Sequence, residues 1–202
     1  MEYYKEILGL LAAVIGFASL IPYIINVLRG KIKPHMFSWI IWGTATLIVF
    51  FAQWAEGGGP GAWQTGIGGC MSLFIAGLAY FKNPELVITK SDWLSFIAAL
   101  AAIPLWYLTN NPLWSVILLT MIDVTGYFPT LRKAYTLPDE ESGGLFLLQT
   151  LKNWLGIAAM QHYSVVTILF PATLSLINFL VPLCIYMGRR KKNSVAEELE
   201  KS

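Results

Sequence analysis

The chain has 202 residues, of which 56% are hydrophobic and 13% charged, with a net charge of +2; a soluble domain carries about 25% charged residues. That balance excludes an ordinary water-soluble domain. The basic residues stand beside apolar runs and form no long stripe interleaved with aromatics, which excludes a nucleic-acid partner.

The apolar runs have the length that crosses a bilayer. Seven spans are predicted, at residues 5–28, 36–55, 62–81, 91–109, 112–131, 144–161 and 164–188. The first follows only Lys5 and has its basic cluster on the far side, so it reads as a retained span rather than a signal peptide. Arg29 to Pro34 closes it, Gly57 to Gly61 separates the second span from the third, and Lys82-Asn83-Pro84 follows the third. Asn110-Asn111-Pro112 divides the fourth from the fifth, and the fifth ends at Arg132-Lys133.

Basic residues of short loops stay on the cytoplasmic side. With seven spans, Arg29, Lys31, Lys33, Lys82, Lys90, Arg132, Lys133, Arg189, Arg190, Lys191, Lys192 and Lys201 fall on one side. Lys5 stands alone on the other, and Lys152 lies inside a span. The expected topology is an integral plasma- or inner-membrane protein with its N-terminus outside and its C-terminus in the cytoplasm.

Two stretches of the chain resemble each other. Leu20-Ile-Pro22-Tyr-Ile-Ile-Asn26 leads through a basic loop to Ser38-Trp39-Ile-Ile-Trp42-Gly43. Tyr127-Phe-Pro129-Thr-Leu-Arg132 leads through a basic and acidic loop to Lys152-Asn153-Trp154-Leu-Gly156. Pro22 and Pro129 are 107 residues apart, an offset that carries span one onto span five in the same direction. The expected fold is therefore an all-α membrane protein with seven transmembrane helices, as two parallel three-helix bundles joined by a linker helix. The first bundle takes residues 1–82, the linker 83–110, the second bundle 111–188 and a basic tail 189–202. A proline inside a span frees a carbonyl and permits a kink, so Pro22 and Pro129 are candidate hinges.

With these features the chain resembles the SWEET and PQ-loop superfamily, whose members are built from parallel three-helix repeats, joined in the longer ones by a linker helix. The residues that carry the likeness are Pro22 with its basic loop and Ser38, and Pro129 with its basic and acidic loop. Tyr23 and Thr130 stand where the naming Pro-Gln pair would have glutamine. Of the asparagines expected in the third helix of each bundle, Asn178 stands in span seven, whereas span three has Ser72 and no asparagine at the comparable depth. Trp39-Ile-Ile-Trp42 is similar to a Trp-x-x-Trp motif of the nicotinamide riboside transporters, though in span two. The resemblance implies a facilitative, alternating-access transporter of a small polar solute, such as a sugar or a nucleoside-like metabolite. It implies no enzyme and no cofactor.

Ionisable groups at membrane depth face a cavity or one another. Asp123 and Lys152 are the two deep ones, each roughly 12 to 14 Å above the cytoplasmic boundary at 1.5 Å per residue. They stand on consecutive antiparallel helices and are expected to pair, either to fix packing or to line the solute path. The same offset of 107 residues sets Gly16 where the second bundle has Asp123. The candidate substrate residues are Trp42, Asp123, Lys152, Asn153, Trp154 and Asn178.

Trp39 reads as an interfacial anchor, whereas Trp42 and Trp154 either line the path or pack. Asp139, Glu140 and Glu141 read as a solvated loop with local salt bridges rather than a metal site. His35 and His162 read as surface residues, and Cys70 and Cys184 as packing residues. The partners implied are a small-molecule solute and the lipid bilayer, with a homo-oligomer left open. Two other classes fit seven spans: a receptor or photoreceptor, for which Lys152 is the only intramembrane lysine, and a non-transporting scaffold.

Overall fold

Inside a bilayer no water satisfies backbone amides, so an apolar run must close its hydrogen bonds within itself, which helix does. The computed structural model describes residues 3–30, 36–82, 90–136, 138–139 and 143–200, and these residues contain helices and no strand. In chain order they form α1 (Tyr3–Leu28), α2 (Met36–Ala55), a 3-10 turn (Gly59–Ala62), α3 (Trp63–Lys82), α4 (Lys90–Thr109), α5 (Pro112–Thr136), α6 (Gly143–Ala158) and α7 (Val165–Glu200).

The breaks have local causes. Gly30, at φ 70°, ends α1 in the left-handed conformation, and its N–H donates back to the Val27 carbonyl. Gly57 and Gly59 also have positive φ and turn the chain from α2 into α3. Between α4 and α5, Asn110 takes φ 48° and the Asn111 Oδ1 accepts a hydrogen bond from the Leu113 N–H at 2.9 Å. Asn111 is thus an N-cap, with Pro112 at the first helical position.

Five segments are long and apolar enough to cross a membrane: Tyr3–Leu28, Met36–Ala55, Gly59–Lys82, Pro112–Thr136 and Val165–Ser194. The other two helices are less suited. The apolar part of α4 is Phe96–Thr109, and α6 has 16 residues, a rise of about 24 Å, and carries Gln149, Lys152 and Asn153. The distribution of polarity agrees with a lipid solvent. Phe17, Phe51, Phe74, Leu94, Leu108 and Phe179 are exposed, while Gln53, Gln64, Thr65, Asp123, Asn153, Thr167, Ser175 and Asn178 are buried. The chain is built as an integral membrane protein.

α3 packs against both α1 and α2, and α7 packs against both α5 and α6. α1 lies against α6, and α2 against α5. α4 rests on α2 and α5, where Ala99 and Ala102 join Ile41, Ala45, Ile48, Val49, Val116 and Leu119 in the main apolar core. The Ser115 hydroxyl donates to the Ala102 carbonyl across that contact.

One end of the molecule is stitched shut. Lys5 Nζ donates to the Met160 carbonyl at 2.7 Å and lies 5.2 Å from the Tyr163 ring centre. The Gln161 N–H donates to the Gly58 carbonyl, and His162 Nδ1 donates to the Glu56 carbonyl, each at 3.0 Å. His162 is an exposed residue, as expected, but one that ties two turns together. At the other end Asp139 receives Lys192 Nζ at 2.6 Å and Arg189 Nε at 3.4 Å. Its partners are therefore on the extension of α7 rather than beside it in sequence. His35, Glu140 and Glu141 lie outside the described residues. Cys184 packs against the small cluster of Ala134, Val181 and Ile185, whereas Cys70 is exposed and not the packing residue it was expected to be.

Candidate functional site

A cavity of about 350 Å³ opens between the helices, at the small end of the range of pockets that hold metabolites. Its lining comes from α1, α2, α3, α5, α6 and α7, and from no residue of α4. The periodicity of each helix shows in what it contributes. α1 gives Ser19 and Tyr23, α2 gives Trp39, Trp42 and Thr46, and α5 gives Asp123, Tyr127 and Thr130. α6 gives Gln149, Lys152 and Asn153, and α7 gives Phe170, Leu174 and Asn178. Steps of three and four place these side chains on one face of each helix.

Five of the six expected substrate residues, Trp42, Asp123, Lys152, Asn153 and Asn178, therefore line one cavity. Trp154 does not: it is 59% exposed. Successive helical residues are about 100° apart, so turning Asn153 inward turns its neighbour outward. Trp39 lines the cavity rather than standing apart as an anchor. Its ring lies 5.2 Å from that of Tyr23 and 5.5 Å, edge to face, from that of Trp42. These three rings form an aromatic wall.

Other parts of the lining are polar. Tyr127 donates to Asn178 Oδ1 at 3.1 Å, joining α5 to α7. Gln149 Nε2 donates to Ser19 Oγ at 2.7 Å, and that hydroxyl donates to the Gly16 carbonyl at 2.8 Å, joining α6 to α1. Among the described residues three buried side-chain atoms have no partner, Gln53 Oε1, Asp123 Oδ1 and Asn153 Nδ2, and the last two belong to residues that line the cavity. A buried polar group left without a hydrogen bond costs about 1 to 3 kcal/mol, so Asp123 and Asn153 are held in this lining at a cost that the protein's own contacts do not offset.

The expected Asp123–Lys152 pair is absent: no ion pair joins the two among the described residues. The reason lies in the packing. α5 and α6 are consecutive, but α7 packs against both of them, and each meets a helix of the first half instead, α5 against α2 and α6 against α1. The stem of Lys152 lies over Gly16, where an added Cβ would stand 2.7 Å from Lys152 Cδ.

Of the candidate hinges, Pro22 is exposed and α1 runs through it as one helix. Position 129 falls inside the continuous α5, and the Pro129 side chain lies outside what is described. Among the described residues no cluster of His, Cys, Asp and Glu has the form of a metal site.

Tyr23, Tyr127, Gln149, Ser19 and Gln64 belong to the site and were not anticipated from sequence. Their signal was available. Gln149 shares a helix face with Lys152 and Asn153, and Tyr127 shares one with Asp123. Set against protein-family models, curated proteins and solved structures, the chain matches none of them.

Proposed function

We propose that the protein is a facilitative carrier of a small polar solute, whose single site is the cavity between two three-helix units. The observation that carries this reading is the composition of the cavity wall. Six helices line it, α4 gives nothing, and two of the lining residues, Asp123 and Asn153, each carry a buried polar atom with no partner among the described residues. A scaffold that used these residues for packing alone would be expected to satisfy them.

The order of packing supports a three-plus-one-plus-three repeat. In each run of three, the last helix sits against the other two, and α4 stays outside the site. Seven spans, with the N-terminus outside and the C-terminus cytoplasmic, follow on this reading from the side on which the basic residues fall. α4 and α6 then cross as shorter or more polar helices held by their neighbours. Within that frame the chain is a divergent relative of the SWEET and PQ-loop transporters. Pro22 and Pro129 are points at which α1 and α5 flex while the stitched end opens. The carrier needs no cofactor.

The deciding experiment is uptake of labelled solutes into liposomes holding the purified protein, with Trp42→Ala and Asn178→Ala as site variants. Uptake lost in both variants, with folding intact, supports the carrier. Failure across sugars, nucleosides and amino acids counts against it. A C-terminal reporter that signals from outside the cytoplasm would refute the topology.

One observation favours a photoreceptor instead: Lys152 enters an aromatic-walled cavity that Asp123 also lines, the arrangement a retinal Schiff base and its counter-ion require. Visible absorbance after adding retinal to the protein decides between them, and the carrier reading expects none.

A further inference from the structure

We propose that the cavity is a site for a zwitterion: a solute with a cationic group for Asp123, an anionic group for Lys152 and a flat ring for the wall of Tyr23, Trp39 and Trp42. This rests on the reading of the cavity as a solute site and names the class of solute.

An acid and a base, Asp123 and Lys152, line the same small cavity, and among the described residues no ion pair involves either. Asp123 is buried, and its Oδ1 has no hydrogen-bond donor. Among the described residues Lys152 has no ion pair, and its stem is laid over Gly16 of α1. The two groups approach from different seams, α5 against α2 and α6 against α1, and do not reach each other. Both nonetheless line the one cavity.

An uncompensated charge away from water is costly, and a partner that neutralises it recovers much of that cost. A neutral polyol hydrogen-bonds to both groups and neutralises neither. A simple cation or anion satisfies one and leaves the other. A zwitterion satisfies both, and a solute of the amino-acid type keeps its two charges a few bonds apart while its side chain projects away. Elsewhere in the lining the three rings, centred 5.2 and 5.5 Å apart, offer indole and phenol surface. Flat rings and cations both bind to such surface.

The test is calorimetric binding to the full chain in detergent, using four probes: L-tryptophan, tryptamine, indole-3-propionate and sucrose. Tryptamine lacks the anionic group, indole-3-propionate lacks the cationic one, and sucrose has no charge. L-tryptophan is expected to bind at least about thirtyfold more tightly than either singly charged indole, the loss that follows from leaving one buried charge unpaired. Asp123→Asn should weaken L-tryptophan and tryptamine and not indole-3-propionate. Lys152→Met should weaken L-tryptophan and indole-3-propionate and not tryptamine.

Equal binding of all three indoles, or sucrose binding more tightly than L-tryptophan, overturns the proposal. The series on the wild-type chain decides this even where a variant fails to fold. Uptake into liposomes separates the two levels. Binding of L-tryptophan without its uptake supports the zwitterion site and sinks the carrier. Uptake of a sugar without L-tryptophan binding overturns the zwitterion and leaves the carrier standing.

Discussion

Gly16 offers the sharpest test of how the two halves meet. A Cβ at this position would sit 2.7 Å from Lys152 Cδ and 3.5 Å from its Cγ. Carbon atoms rest at about 3.5 to 4.0 Å, so Gly16→Ala must push the lysine stem aside by on the order of 1 Å. The backbone of α1 gains from the change, because alanine is a better helix former than glycine by about 1 kcal/mol. Overpacking costs about 1 to 3 kcal/mol where neighbours cannot yield, so in the wild-type background the variant should be neutral to destabilising. In a Lys152→Ala background the obstructing atoms are gone, and the same Gly16→Ala change should stabilise by about 1 kcal/mol. The assay is thermal unfolding of the four proteins in detergent. The expected coupling between the two positions is at least about 1 kcal/mol. If Gly16→Ala shifts stability equally in both backgrounds, Lys152 does not lie over α1, and the α1–α6 seam is wrong.

Three further outcomes follow from the geometry. Without an ion pair, the losses of stability caused by Asp123→Asn and Lys152→Met in ligand-free protein should add to within about 0.5 kcal/mol; a double variant milder than either single one would restore the pair. Trp42→Ala should weaken solute binding, whereas Trp154→Phe, at an outward-facing position, should leave both binding and uptake unchanged; the comparison needs only titrations on folded protein. Hydrogen bonding and charge from Lys192, with Arg189 beside it, hold the Asp139 carboxyl below the ordinary carboxylate range, so its favourable contact with α7 is present above that range and is lost as pH falls through its lowered value, and Lys192→Ala should bring its NMR titration back up.

Helix number and the main breaks could be read directly from the chain because they rest on local chemistry: Gly57 to Gly61, Asn110 to Pro112 and the basic clusters act within a few residues. That Asp123, Lys152, Asn153 and Asn178 line one cavity has a related reason, since polar groups inside apolar runs are costly and must face a partner or a cavity. Trp154 shows the limit of reading by neighbourhood. It stands next to Asn153 in sequence and about 100° away on the helix. The Asp123–Lys152 pair failed on a tertiary fact. Depth along the membrane follows from counting residues, but which helices touch does not, and α7 packs against both α5 and α6. Tyr127 and Gln149 were passed over because tyrosine and glutamine carry no charge to draw attention, although steps of three and four tie them to Asp123 and Lys152. Cys70 was assigned to packing by its apolar surroundings, which in a bilayer also describe the lipid face.

On the repeat reading, the two halves of the site are the same scaffold furnished differently. The offset that joins Pro22 to Pro129 also joins Gly16 to Asp123, Leu20 to Tyr127 and Tyr23 to Thr130, and of these Leu20, Tyr23, Asp123, Tyr127 and Thr130 line the cavity. Matching Gly43 to Gly156 sets Trp39 where the second half has Lys152. The first half thus contributes a hole and a ring at the two positions where the second contributes a carboxylate and an amine. The hole is used: the stem of Lys152 passes over Gly16, so the small residue that replaces one charge makes room for the other. A second carboxylate at position 16 would place a partner beside Lys152 and remove its need for a ligand. Glycine there keeps the two charges apart, and the ring at Trp39 takes the place of a second amine. On that reading the asymmetry between repeats leaves one acid and one base in the cavity with no ion pair among the described residues, which is what a bound zwitterion would answer.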